Sequence, residues 1–137
     1  MIKRRLRRFQ VAMLVVIAVG CASAGGMYSD ALDAGEVKFY SAPLNTVAPA
    51  ARQAVLAAGL NEDAVSQPDS LTWMIIAKKG MSFFSWGELV RVVVHQTTEG
   101  PVAVRVLTKR RLATNITARG DWSGKIYQQL DHILAPH

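Results

Sequence analysis

The chain has 137 residues and a formal net charge of +6, and its length suits one small domain with a single hydrophobic core. Five of its 16 lysines and arginines lie before residue 9, so 11 cations face 10 acidic residues in the rest of the chain. This near balance gives no case for nucleic-acid binding. The single cysteine, Cys21, excludes a disulfide framework.

The first 26 residues have the pattern of a bacterial lipoprotein signal. Cations within residues 3–8 precede an apolar run over residues 11–19, which is far shorter than the ~20 residues of a membrane-spanning helix. Ala18-Val19-Gly20-Cys21 resembles a lipobox, so we expect cleavage before Cys21 and acylation of its thiol. The A-x-A sequence Ala22-Ser23-Ala24 leaves ordinary secretory cleavage after Ala24 as an open alternative.

This signal predicts the domain organisation and the location. We expect a signal peptide over residues 1–20, a lipidated cysteine with a flexible tether over 21–34, and one domain over 35–137. Acyl chains on Cys21 would attach the domain to a membrane. Ala22 in place of aspartate resembles the signal for onward transport in enteric-type bacteria, which implies the outer membrane, with the domain facing the periplasm.

The first half of the domain predicts a strand, a helix and a loop. Residues 36–41 alternate as a strand does. A helix is expected from Thr46, since Pro49 then falls within its first turn, and Gly59 ends it. Residues 61–70 are predicted as a polar loop. The apolar stripe of the helix is rich in alanine, which predicts close packing on a sheet: Val47, Ala51, Ala54, Val55 and Ala58.

The second half predicts three strands and a closing helix. Residues 71–78 are apolar on both faces, which indicates a central strand or one covered on both sides. Residues 88–96 and 102–106 alternate around a turn-rich connector and predict a hairpin. A helix over 122–134 follows. The predicted fold is α+β: a mostly antiparallel four-stranded sheet with two helices packed on one face, in the order β-α-β-β-β-α.

Several of these segments resemble known bacterial sequences. Residues 25–28, residues 42–60 and the valine-rich hairpin resemble a family of short bacterial lipoproteins built around a domain of unknown function. Residues 82–88 and 120–124 are similar to a "SWGE … DWG" pair in small uncharacterised bacterial proteins, with Ser123 in place of the second glycine. These resemblances imply the same layout and no known activity.

Residues suited to catalysis or metal binding are sparse. His95, His132 and His137 show no i, i+4 spacing with supporting carboxylates, which argues against a metal site. No nucleophile motif or phosphate-binding loop is present. Asp121 suits the N-cap of the last helix better than the role of a catalytic acid. We therefore expect no enzymatic activity, cofactor or metal.

Three features are candidates for binding. The aromatic residues Phe83, Phe84 and Trp86 lie between two strands, where closing one end of the core is the alternative role. Residues 109–111 are a basic run. They could bind anionic groups, or they could simply be the solvated end of a strand. The third feature is the sheet face away from the helices. On it the hairpin places Arg91, Val93, His95, Arg105 and Leu107.

One alternating set of the central strand must share that face with the hairpin residues. The sequence leaves open which set this is: Thr72, Met74 and Ile76, or Leu71, Trp73 and Ile75. If the face were open, the two arginines on it would repel unless an acidic group or a partner lay between them.

Together these patterns predict a lipid-anchored protein of the cell envelope that acts as an interaction or structural module. Its expected partner is another envelope protein or a second copy of the chain. The alternative is a small-ligand or lipid-binding module with a pocket between sheet and helices. An apolar cavity lined by Phe39, Phe83 and Trp86 would favour that alternative. A filled core with an exposed apolar sheet face would favour the interaction module.

Overall fold

A computed structural model describes residues 31–80, 87–110 and 122–136. They form an α+β domain with five strands and two helices, so the predicted class is confirmed. The strands are β1 (Glu36–Tyr40), β2 (Asn61–Asp69), β3 (Thr72–Lys79), β4 (Glu88–Gln96) and β5 (Val102–Arg110), and the helices are α1 (Leu44–Ala57) and α2 (Trp122–Leu134). Cys21 and the rest of the predicted signal lie outside the described residues, as do Phe83, Phe84, Trp86, Arg111, Asp121 and His137.

The sheet is antiparallel throughout, in the order β1-β5-β4-β3-β2. The prediction of four strands is wrong, because residues 61–69 form the edge strand β2 and not a loop. The β2 register shifts between Glu62 and Ala64 and again between Ser66 and Asp69. Pro68 lies in the second irregularity, at a sheet edge, where its missing N–H is tolerated. A polar, irregular edge strand carries little of the alternation that identifies strands in a sequence.

The first helix begins two residues earlier than predicted. The N–H groups of Thr46 and Val47 both donate to the carbonyl of Pro43, at 2.9 and 3.0 Å, so the helix starts at Leu44. Pro49 therefore lies in the second turn, on the exposed side of the helix. The predicted stop is confirmed: Gly59 follows the helix with φ +95°, a left-handed conformation that glycine adopts without strain.

The main core lies between the helices and one face of the sheet, as predicted. Ala51, Ala54 and Val55 on α1 are fully buried. The central strand contributes Trp73 and Ile75 to this side, which settles the choice left open by the sequence. The alternating valines of β4 and β5 fill the rest: Val90, Val92, Val94, Val102, Val104 and Val106.

Polar contacts fasten β1 to α2 at the edge of this core. Lys38 Nζ and Tyr40 Oη both donate to the Asp131 carboxylate, and the Lys38 bond holds the pKa of Asp131 below its usual range. Burial, reinforced by the bond to Asp131, raises the pKa of Tyr40. Tyr127 Oη lies 2.8 Å from the carbonyl oxygen of Glu36, and burial raises the pKa of Tyr127 to about 12. The terminal helix thus holds the short edge strand in place.

Neither helix in the described part of the chain is long and apolar enough to cross a lipid bilayer.

Candidate functional site

The sheet face away from the helices carries the residues that the hairpin pattern predicted. Val93 pairs with Arg105 and Arg91 with Leu107, so these side chains share one face with His95. Met74 and Ile76 lie on the same face, because they pair with Val93 and Arg91. The prediction that these residues lie together is confirmed.

Half of this face is a second hydrophobic core, so the expectation of an open surface is wrong there. Arg91 is 0% exposed, although it was predicted to lie on the open surface. Leu107 is half-buried against the same cluster. The buried members of the cluster are Met74, Ile76, Leu89 and Val93.

The segment that precedes β1 explains why the two arginines are tolerated. Arg91 Nη2 donates to the carbonyl oxygen of Ala31 at 2.7 Å, and Arg105 Nη1 donates to that of Asp33 at 3.0 Å. We call residues 31–34 the entry segment. Its backbone oxygens accept one hydrogen bond from each guanidinium group, so both arginines have a polar contact on this face.

The other half of the face contains a recess of about 480 Å³, which we call the trough. Its floor is one row of residues across all five strands, defined by successive register pairs. From β1 to β2 the row is Phe39, Ala103, His95, Thr72 and Asp69. The small side chain of Ala103 in the second position leaves space above the sheet.

Two walls border the trough. One is the β4–β5 turn at residues 97–99, and the other consists of Leu32, Asp33 and Arg105. Hydrogen bonds fix the turn: Gln96 Nε2 donates to the Gly100 carbonyl at 2.8 Å, and Thr97 Oγ1 donates to the Pro101 carbonyl at 2.6 Å. Because the turn is already held in place, binding of a ligand or partner in the trough would not incur the entropic cost of ordering it.

The polar pair on the floor orients a histidine ring. Thr72 Oγ1 and His95 Nδ1 lie 2.8 Å apart, and Thr72 is 2% exposed while His95 is exposed. The distance is within the range of a nucleophile and its base, but a hydroxyl this deeply buried is poorly placed to attack a substrate, so we interpret the pair as a positioned hydrogen-bonding group. In the described ranges no group of three or more His, Cys, Asp or Glu residues could hold a metal ion.

The trough is apolar at one end and acidic along its borders. Phe39 at the β1 end is 55% exposed, and Leu32 in the entry-segment wall is 48% exposed. Asp33, Asp69 and Glu99 supply the carboxylates. The ion pairs seen among the described residues use other carboxylates: Lys38–Asp131, Arg52–Glu62 and Lys78–Asp63.

A buried contact joins the two segments that resemble the "SWGE … DWG" motifs. Trp122 Nε1 donates to Glu88 Oε2 at 2.9 Å, and both residues are 5% exposed. Lys125 Nζ lies 4.7 Å from the centroid of the Trp122 ring, on which it makes a cation–π contact. Because Glu88 begins β4 and Trp122 begins α2, this contact holds the two elements together within the core. Its burial indicates a structural role.

A second recess, of about 560 Å³, lies between α1 and the start of β2. Arg52 Nε and Nη2 donate to both carboxylate oxygens of Glu62 there, at 2.9 and 2.7 Å. The bond from Arg52 lowers the pKa of Glu62. These two charged groups are engaged with each other, and Gln53 and Asn61 are the other polar side chains of the lining. The trough combines exposed apolar groups with carboxylates outside the ion pairs seen among the described residues, so it is the better candidate site.

Sequence reasoning identified part of the trough and missed part of it. His95 and Arg105 were predicted at this face, and Phe39 was predicted only for a cavity on the helix side. Thr72 belonged to one of the two sets that the sequence offered for this face. The missed residues are those that strand register and the two turns bring in: Leu32, Asp33, Asp69, Ala103 and residues 97–99. The turn residues were recognisable as turns, but no local pattern indicated that two turns and an entry segment meet at one place.

No protein-family model matches the chain, and the curated proteins contain no significant match to it.

Proposed function

We propose that this chain is a lipid-anchored protein of the cell envelope that binds another protein through the trough and catalyses no reaction. The observation that carries this proposal is a preformed recess lined by two exposed apolar side chains, Phe39 at one end and Leu32 in one wall. Large apolar side chains beside a recess are typical of interaction sites, and aromatic anchors dominate binding energy at protein interfaces. The lipobox pattern at Cys21 supports the lipid anchor. We place the anchor in the outer membrane, with the domain facing the periplasm.

The path of the chain supports a partner close to the membrane. Nine residues lie between Cys21 and Ala31, and the ten Cα–Cα steps that join the two residues span at most about 35 Å when fully extended. Ala31 accepts a hydrogen bond from Arg91 on the same sheet face as the trough. An anchor at Cys21 would therefore keep the trough within a few tens of ångströms of the lipid surface.

Site-specific photocrosslinking in cells tests the binding surface. A photoreactive residue at Phe39 should give a crosslinked product of defined mass. Leu56 provides a matched control, because it is 56% exposed against 55% for Phe39 and lies on the outer side of α1. No product from Phe39, or the same products from both positions, would overturn the proposal. A product of twice the chain's mass would identify a second copy as the partner.

Mass spectrometry of the protein isolated from membranes tests the anchor. We expect the mature N-terminus at Cys21, with acyl chains attached to that residue. An unmodified N-terminus at Gly25 would show ordinary secretory cleavage and would remove the membrane assignment.

A small-ligand binding module is the second candidate function, and the size of the trough favours it. A volume of about 480 Å³ lies within the range of roughly 300–1,000 Å³ typical of small-molecule pockets. The trough lies on the helix-free face, whereas the space between sheet and helices is packed with core side chains. Native mass spectrometry of the purified protein distinguishes this function, since a retained small molecule would add a constant mass.

A further inference from the structure

We infer that the trough binds an extended, basic segment of the partner protein, with an apolar side chain against Phe39 and a cationic side chain toward Asp69 and Glu99. The inference rests on the proposed protein-binding function and adds the chemistry of the bound segment. Its evidence is the shape of the floor, the distribution of apolar groups and the charge of the lining.

The shape of the floor favours an extended chain. The row from Phe39 to Asp69 crosses five strands, and four spacings of ~4.8 Å make it about 19 Å long. An extended peptide advances ~3.3 Å per residue, so about six residues span the row. The walls at residues 97–99 and at the entry segment run along its two sides.

The charge of the lining favours a cationic segment. Of the lining residues that the structure describes, Asp33, Asp69 and Glu99 are acidic and Arg105 is basic, which gives a formal charge of −2 when histidine is counted as neutral. Arg105 Nη1 already donates to the backbone oxygen of Asp33. Opposite charges across an interface favour the correct partner, and like charges exclude others. Acidic segments and anionic lipid headgroups are thus disfavoured at this site.

The apolar groups give the segment a direction. Phe39 lies at the β1 end of the trough, and Asp69 lies at the β2 end. Phe39 offers an exposed ring for an apolar side chain, and its ring face also suits a cation. A segment that combines apolar and basic residues is therefore complementary to both ends of the trough. A uniformly polar segment would be complementary to the acidic β2 end alone.

Fluorescence anisotropy with the full-length, detergent-solubilised protein tests the inference. Two labelled hexapeptides serve as probes: one alternates leucine and lysine, and the other has glutamate in place of each lysine. We expect the basic peptide to bind with a dissociation constant that rises with salt, and the acidic peptide to show no saturable binding. Equal binding of both peptides would overturn the inference.

Charge-removing variants locate the bound peptide. Asp69→Asn keeps the side-chain oxygen that accepts the Leu71 N–H, and Glu99→Gln changes an exposed turn residue. Each should weaken basic-peptide binding about two- to fivefold, as expected for an exposed ion pair. Glu36→Gln is the matched control, because Glu36 pairs with Val106 and so lies on the helix side of the sheet. An equal effect of all three variants would contradict binding in the trough.

The crosslinking experiment separates the two proposals. If Phe39 still gives a specific crosslinked protein while the peptides show no charge preference, the protein-binding function stands and the basic-segment inference fails. If Phe39 gives no product, the underlying function fails.

Discussion

The bond between Glu88 and Trp122 should be a major support of the domain. Glu88→Leu replaces the acceptor with an apolar side chain and leaves the indole N–H, in a residue that is 5% exposed, without its partner. An unsatisfied buried donor costs about 1–3 kcal/mol. For a domain of this size, each kcal/mol lowers Tm by about 4–8 °C. Glu88→Gln keeps an acceptor oxygen and loses only the charge assistance, so we expect it to cost less than Glu88→Leu.

Urea denaturation followed by far-UV circular dichroism measures these losses, and a double-mutant cycle isolates the bond. Trp122→Phe removes the donor and retains most of the ring. If the bond contributes as described, the double variant Glu88→Leu/Trp122→Phe should lose less unfolding free energy than the sum of the two single losses. The difference should be about 0.5–3 kcal/mol. Strictly additive losses, or a Glu88→Leu variant as stable as Glu88→Gln, would refute this reasoning.

Three further predictions concern packing, backbone and charge. Ala54→Leu should overpack the fully buried face of α1 and cost ~1–3 kcal/mol in chemical denaturation, whereas Ala57→Leu on the exposed side of the same helix should leave stability nearly unchanged. Gly35→Ala should lower Tm, because Gly35 has φ +97° and an added Cβ would overlap the Val106 carbonyl. Asp131→Asn should cost up to about 1 kcal/mol near neutral pH. Because folding lowers the pKa of Asp131, that difference is present above its unfolded value of 3.8 and should vanish as the pH falls through the lowered folded value.

The sequence predicted those elements of the fold in which apolar and polar residues follow a regular period. The valines of β4 and β5 require a common buried side, and the alanine stripe of α1 requires a close sheet, so the side on which the helices pack was predictable. The strand β2 was not, because it is polar and broken by two register shifts at a sheet edge. Its pairing with β3 is a tertiary effect that local composition does not encode.

The candidate site was less predictable than the fold for a related reason. Alternation fixes which face a strand residue occupies, and it placed Arg91, His95 and Arg105 together. It does not say what covers that face. The four-residue entry segment carries no periodic signal, yet its Ala31 carbonyl binds Arg91, which is buried, whereas His95 on the same face is exposed. The floor of the trough also depends on register across five strands, and one missed strand removes its Asp69 end.

The entry segment links the proposed anchor to the proposed binding site. Its carbonyl oxygens hold Arg91 and Arg105, which are diagonal neighbours on β4 and β5, and its side chains Leu32 and Asp33 form one wall of the trough. A chain anchored at Cys21 would therefore enter the domain on the sheet face that carries the trough. The helices lie on the opposite face. The two arginines hold the entry segment beside the trough through these bonds, so the wall that a bound segment would contact belongs to the same stretch of chain that leads into β1.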